Sequence, residues 1–200
     1  MAPLSLSMVA SPSLPKTSYL HPLEVKSGWV QGVRQVPTCR CGARPQPMDI
    51  SLIVIHGISL PPGHFGGPYV DDIFLNTLDP KAHPYFAQVA GMEVSTHFFI
   101  NRAGRITQYV SCLDRAWHAG RSQYQGRAEC NDYGIGIELE GTDTTPYTKE
   151  QYHSLRLLIV TLQQAYPQIG GHIAGHSDIA PTRKTDPGPS FAWEQIADLR

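Results

Sequence analysis

Thr148 and Gln151 open the longest amphipathic run in the chain, and that run restricts what the rest can become. A threonine hydroxyl can accept the backbone N–H three residues on while a glutamine at that position reaches back, a reciprocal cap that starts a helix. Tyr152, Leu155, Leu158, Ile159, Leu162 and Tyr166 then fall on one helical stripe, until Pro167 stops the run. A helix that is apolar on one side only needs a second layer to cover that side. Ser51-Leu-Ile-Val-Ile55 supplies part of one: its β-branched residues predict a buried central strand that delivers His56 to its C-terminal edge.

The remaining segments fit the same two-layer scheme. The runs 95–100 and 105–110, separated by Asn101-Arg-Ala-Gly104, predict a hairpin. Residues 134–140 alternate small or polar with apolar side chains and predict a further strand, and 172–175 a last one with His176 at its end. Helices are expected over 70–78, 83–89 and 191–199. The stretch 59–68 holds too many Gly and Pro for a regular element and is expected to be a loop near the substrate groove. Strands and helices are interspersed without repeats, so the predicted fold is α/β, a mixed central β-sheet flanked by helices.

At 200 residues and 41% hydrophobic content the chain can bury one good core. The Ser/Pro-rich residues 1–27 have no apolar period and are expected to be a flexible extension, with the domain proper spanning 28–200. A net charge of −1 with only 16% charged residues argues against nucleic acid as a partner. The first residues lack the charged and apolar regions of a secretory signal, and no apolar run reaches the roughly 18 residues needed to cross a bilayer. A cytoplasmic protein, without a membrane partner, is the expectation. The four cysteines have no disulfide-framework spacing, which fits reduced thiols. Cys39-Arg40-Cys41 could be half of a metal site, but no second pair accompanies it, and a surface loop is the simpler reading.

Three potential metal ligands lie at predicted strand ends or in the loop beyond one: His56, His176 and Asp186. Two imidazoles and a carboxylate suit zinc and leave a fourth tetrahedral position open to water, the arrangement of a catalytic site. Zinc lowers the pKa of water toward about 7 and polarises carbonyls, as amide hydrolysis requires. Nine histidines offer many other triples, so spacing alone does not single this one out. Glu138 and Glu140, two positions apart on one strand, share a face, and spacing does not choose between them as a general base.

Several motifs in order carry a resemblance: His56-Gly-Ile-Ser-Leu-Pro-Pro-Gly63, Asp79-Pro-Lys-Ala-His-Pro-Tyr-Phe86, Arg115-Ala-Trp-His-Ala-Gly120, Cys130-Asn-Asp132, Gly136-Ile-Glu-Leu-Glu-Gly-Thr-Asp143, Gly175-His-Ser-Asp-Ile-Ala-Pro181 and Arg183-Lys-Thr-Asp-Pro-Gly-Pro-Ser190. From about Gly28 onward the chain resembles the type 2 N-acetylmuramoyl-L-alanine amidases, the family that includes a phage lysozyme and the peptidoglycan recognition proteins, and within it the cytoplasmic 1,6-anhydromuramyl branch. That resemblance implies a zinc groove at one edge of the sheet, with His56, His176 and Asp186 as ligands. It implies Glu138 as the acid–base residue and Lys184 as the cation for the oxyanion. By the same resemblance Trp117, His118 and Asn131 contact the substrate, and His97 has a structural or near-site role. The implied reaction cuts the bond between the muramyl lactyl group and L-alanine of a small soluble anhydromuropeptide, in peptidoglycan recycling, by a monomer. The pattern departs at Gly57, where the family more often carries Asn, and at Ala128-Glu129, where a more basic stretch is expected. A non-catalytic peptidoglycan-binding module and an exported amidase acting on intact murein are the competing readings.

Overall fold

The computed structural model describes residues 23–200. Six strands make the central sheet: β1 (Arg34–Gln35), β2 (Leu52–Ile58), β3 (Phe98–Ile100), β4 (Ile106–Gln108), β5 (Gly134–Glu140) and β6 (Ile173–Gly175). Their spatial order is β6-β2-β5-β3-β4-β1. β6, β2, β5 and β3 run parallel, whereas β3 and β4 form the expected antiparallel hairpin, so the sheet is mixed.

The predicted helix is α3 (Lys149–Ala165), preceded by α1 (Tyr69–Leu75) and α2 (Phe86–Val89) and followed by α4 (His176–Ile179). Thr148 and Gln151 form the full capping box, and Gln151 also donates from Nε2 to the carbonyls of Ile100 and Glu140, tying the helix start to two strand ends. Leu155, Leu158, Ile159 and Leu162 pack with Ile53, Ile55, Ile135, Ile137 and Leu139 in the largest core cluster. Odd-numbered positions of β2 and β5 therefore face α3, and the even-numbered ones face the opposite side. On that side Leu52 and Val54 pack with Ala119, Cys130 and Ala174.

Several boundaries differ from the sequence reading. α1 stops at Leu75 because Asn76 turns into the left-handed region at φ 61°. α2 starts only at Phe86, since Pro84 disfavours helical backbone at His83. β2 continues past His56 to Ile58, paired throughout with β5. The closing segment Trp193–Leu199 is a 3-10 helix with a break at Ile196. Residues assigned to the extension also belong to the fold: Val25–Lys26 pairs with Trp29–Val30, and Leu23 is buried in the main core. Residues 1–22 lie outside the described residues. All four cysteines are free, and no described helix is long and apolar enough to cross a membrane.

Candidate metal centre

Strand register assembles the site. His56 on β2 stands directly opposite Glu138 on β5, and Ile55 opposite Gly175 on β6. The residues after that second pair are His56 itself and His176, so three adjacent strands bring His176, His56 and Glu138 into a row at their C-terminal ends. His176 is the first residue of α4 rather than the last of a strand. The chain then loops back: the N–H groups of Arg183 and Lys184 donate to the Ala180 carbonyl, and that of Ser177 donates to the Asp186 carbonyl at 2.9 Å. Asp186 thereby returns to His176 although ten residues separate them in sequence.

Nδ1 of His56 lies 2.9 Å from Nδ1 of His176 and 3.2 Å from Oδ2 of Asp186, and the last pair is 3.1 Å apart. Ligands about 2.0–2.1 Å from a tetrahedral zinc stand roughly 3.3 Å from one another, so the donor set fits a metal of that size. Among the described residues this is the one cluster of three or more His, Cys, Asp or Glu side chains able to hold a metal, and neither Cys39 nor Cys41 belongs to it. Protonation also favours coordination. Burial, reinforced by the neighbouring His176, pushes His56 down to about 4 against the pull of Asp186, leaving a neutral imidazole at neutral pH. Burial alone would raise the Asp186 carboxyl, but hydrogen bonds with His176 and His56 outweigh it and hold the group well below the usual carboxylate range.

The sheet face distinguishes the two glutamates. Oε2 of Glu138 is buried with no hydrogen-bond partner, and the side chain lines the cavity beside the cluster. Burial, helped by the Asp186 charge and opposed by Lys184, raises its carboxyl well above the ordinary value. Glu140 has the opposite fate. Its carboxylate accepts the N–H of Gly66 and, at 2.9 Å, that of Arg102, which fastens the 59–68 loop to the sheet.

The groove has two lobes. One, of about 590 Å³, runs from the cluster past Glu138 and Thr142 to Leu60 and Tyr85. The other, of about 490 Å³, holds Arg115, Arg183 and Glu93. Trp117, Lys184 and His176 border both. Lys184 is exposed on the rim of both lobes.

The profile of the N-acetylmuramoyl-L-alanine amidase family matches residues 46–189, a span that contains every side chain of this cluster. The chain belongs to that family. The amidase is 54% identical over 175 residues to 1,6-anhydro-N-acetylmuramyl-L-alanine amidase AmpD of Escherichia coli, a match covering 88% of this chain and 96% of the relative. A crystal structure of a selenomethionine AmpD derivative superposes with a TM-score of 0.85 at 52% identity, over 88% of this chain and 98% of that one. Escherichia coli AmiD, solved with anhydro-N-acetylmuramic acid-L-Ala-D-gamma-Glu-L-Lys, superposes with a TM-score of 0.57 at 26% identity, over 89% and 65%.

Two side chains of the amidase that the resemblance gave to the substrate, His118 and Asn131, line the groove and also make contacts within the protein. His118 is buried with Nδ1 3.0 Å from Nε2 of His56, and Oδ1 of Asn131 accepts the N–H groups of His118 and Ala119. His97 has the structural role expected of it: Nδ1 accepts the N–H of Gly136, and Nε2 lies 3.1 Å from the carbonyl of Asp114.

Two residues of the amidase's site escaped the sequence reading. Arg44 is only 3% exposed, and its guanidinium donates to the carbonyls of Cys112, Asn131, Asp132 and Gly134. Burial pulls it down to about 10, so it stays protonated at neutral pH. Tyr147 donates its hydroxyl to the Pro187 carbonyl at 3.0 Å, next to Asp186 of the cluster. A Cβ on Gly57 would sit 2.4 Å from that hydroxyl, so the departure from the family pattern at Gly57 makes room for Tyr147. An arginine before proline and a tyrosine before a capping box give no sequence signal for either role.

Proposed function

We propose that the amidase hydrolyses the amide between the lactyl group of (1,6-anhydro)N-acetylmuramic acid and the L-alanine of the stem peptide, with zinc as cofactor, in cytoplasmic peptidoglycan recycling. The observation that carries this reading is the buried, partner-free carboxylate oxygen of Glu138, in register with His56 beside a three-ligand cluster. The substrate reading is supported by the 54% identity to a protein named for that activity.

Zinc held by His56, His176 and Asp186 would polarise the amide carbonyl and make water more acidic. Glu138, whose burial strengthens it as a base, takes the proton of the attacking water at its carboxylate and returns it to the leaving L-alanine nitrogen. Lys184, on the rim, faces the oxygen that gains charge as the carbonyl is attacked. The indole of Trp117, between the lobes, is a platform for the sugar ring. His118 and Asn131 line the groove and also hold its wall through their contacts with His56, His118 and Ala119.

The test is peptide release from soluble anhydromuropeptide and from insoluble sacculi, each before and after chelation. The soluble substrate is turned over, chelation stops the reaction, and added zinc restores it. Turnover that survives complete zinc removal refutes the mechanism, and a preference for sacculi refutes the substrate and compartment. A non-catalytic binding module would bind the fragment and release nothing; Glu138 and Lys184 beside the ligand set weigh against it.

A further inference from the structure

We propose that His118 and Asn131 are positioning residues for the metal, forming with Ala119 a clamp that fixes both histidine ligands in the metal-binding tautomer. The inference rests on the zinc reading above. A metal bound at the two Nδ1 atoms requires each neutral ring to carry its proton on Nε2, and the partner of that N–H then sets the ring's orientation. For His176 the partner is ordinary, the Ala119 carbonyl at 3.1 Å. For His56 it is the neighbouring side chain, Nδ1 of His118 at 3.0 Å. His118 must accept there, so its own proton sits on Nε2, the buried ring nitrogen that has no partner.

Both ligands therefore lean on two consecutive residues, one through a side chain and one through the main chain. Oδ1 of Asn131 holds that pair by accepting the N–H of His118 at 3.0 Å and of Ala119 at 2.8 Å. Arg44 in turn holds the Asn131 carbonyl at 3.3 Å. Strand β5 is shaped for the ring: a Cβ on Gly136 would fall 2.5 Å from Cγ of His118. With these contacts made, neither Nδ1 of His118 nor Oδ1 of Asn131 is left to offer the substrate.

Zinc affinity of the full-length protein, measured by competition with a chromogenic chelator, tests the clamp. His118→Leu and Asn131→Ala weaken zinc binding by about 10–100-fold, the usual cost of losing a group that orients a ligand. His118→Asn, whose amide oxygen falls near the Nδ1 position, recovers most of the loss. If His118 is instead a substrate contact, His118→Leu raises KM with zinc affinity unchanged, and the proposal is overturned. A wild-type protein that does not bind zinc sinks the zinc reading itself, and this inference with it. Should His118→Leu fail to fold, long-range 15N spectra of the zinc-loaded wild type decide: protons on Nε2 of both His56 and His118 support the clamp, and a proton on Nδ1 of His118 overturns it.

Discussion

Glu138 and Glu140 are chemically identical and face the same side of one strand, yet Glu138 keeps a carboxylate oxygen without a hydrogen-bond partner while both oxygens of Glu140 accept backbone N–H groups. Glu138→Gln is expected to lower kcat by about 10²–10⁴-fold, the range for loss of a general acid–base group. The same change alters stability in a direction that follows from linkage. The folded carboxyl is raised above its ordinary value of 4.5, so the native state keeps a proton that the unfolded chain releases. Its stabilising contribution is complete below that ordinary value and is lost as pH rises through the folded value. Glutamine never ionises and avoids the loss. In metal-free protein, calorimetry near neutral pH should give a higher Tm for the variant, with the gap closing in acid; an equal or lower Tm at neutral pH would contradict the buried-carboxyl assignment. Gly57→Ala places a methyl against the Tyr147 hydroxyl and should cost about 1–3 kcal/mol by overpacking. In a Tyr147→Phe background the clash loses its oxygen, so a double-mutant cycle by denaturant unfolding should show strong non-additivity.

At the scale of elements, the two faces of the sheet do different jobs. α3 covers the odd-numbered positions of β2 and β5, while the metal cluster occupies the even-numbered face. Leu158→Ala, at a fully buried position on α3, should cost about 2–5 kcal/mol of folding stability. Zinc affinity of the folded variant should stay near wild type, because the cavity opens on the side away from the ligands; a large drop in affinity would mean that the sheet transmits packing changes across its thickness. The loop from α4 to Asp186 behaves otherwise. Its main-chain hydrogen bonds to Ala180 and from Ser177 bring Asp186 back to the first turn of α4, so its conformation and a metal held there would stabilise each other.

For the whole molecule, a metal held by His56, His176 and Asp186 would link binding to stability, since folding brings the three side chains together. Zinc at a free concentration 100 times its Kd adds about 2.7 kcal/mol, a rise in Tm of roughly 5–10 °C for a domain of this size. Differential scanning with and without chelator measures it, and the absence of any shift would count against the site. Periodicity and residue type by themselves set the α/β class, α3 with its cap, the β2 and β5 strands and the β3–β4 hairpin, because those signals are local: a helix repeats every 3.6 residues and a strand every two. Motifs in order nominated His56, His176 and Asp186. The resemblance named Glu138 where spacing did not, and only the tertiary structure gives a physical reason to prefer it over Glu140, since that reason depends on loop N–H groups more than 35 residues away in sequence. Tertiary structure alone likewise reveals that Nδ1 of His118 and Oδ1 of Asn131 are engaged by neighbours that no local pattern shows, and that Arg44, which reads as a surface cation, is held by four distant carbonyls. Local sequence sets which way a side chain faces, but its partners are set by strand register and loop return.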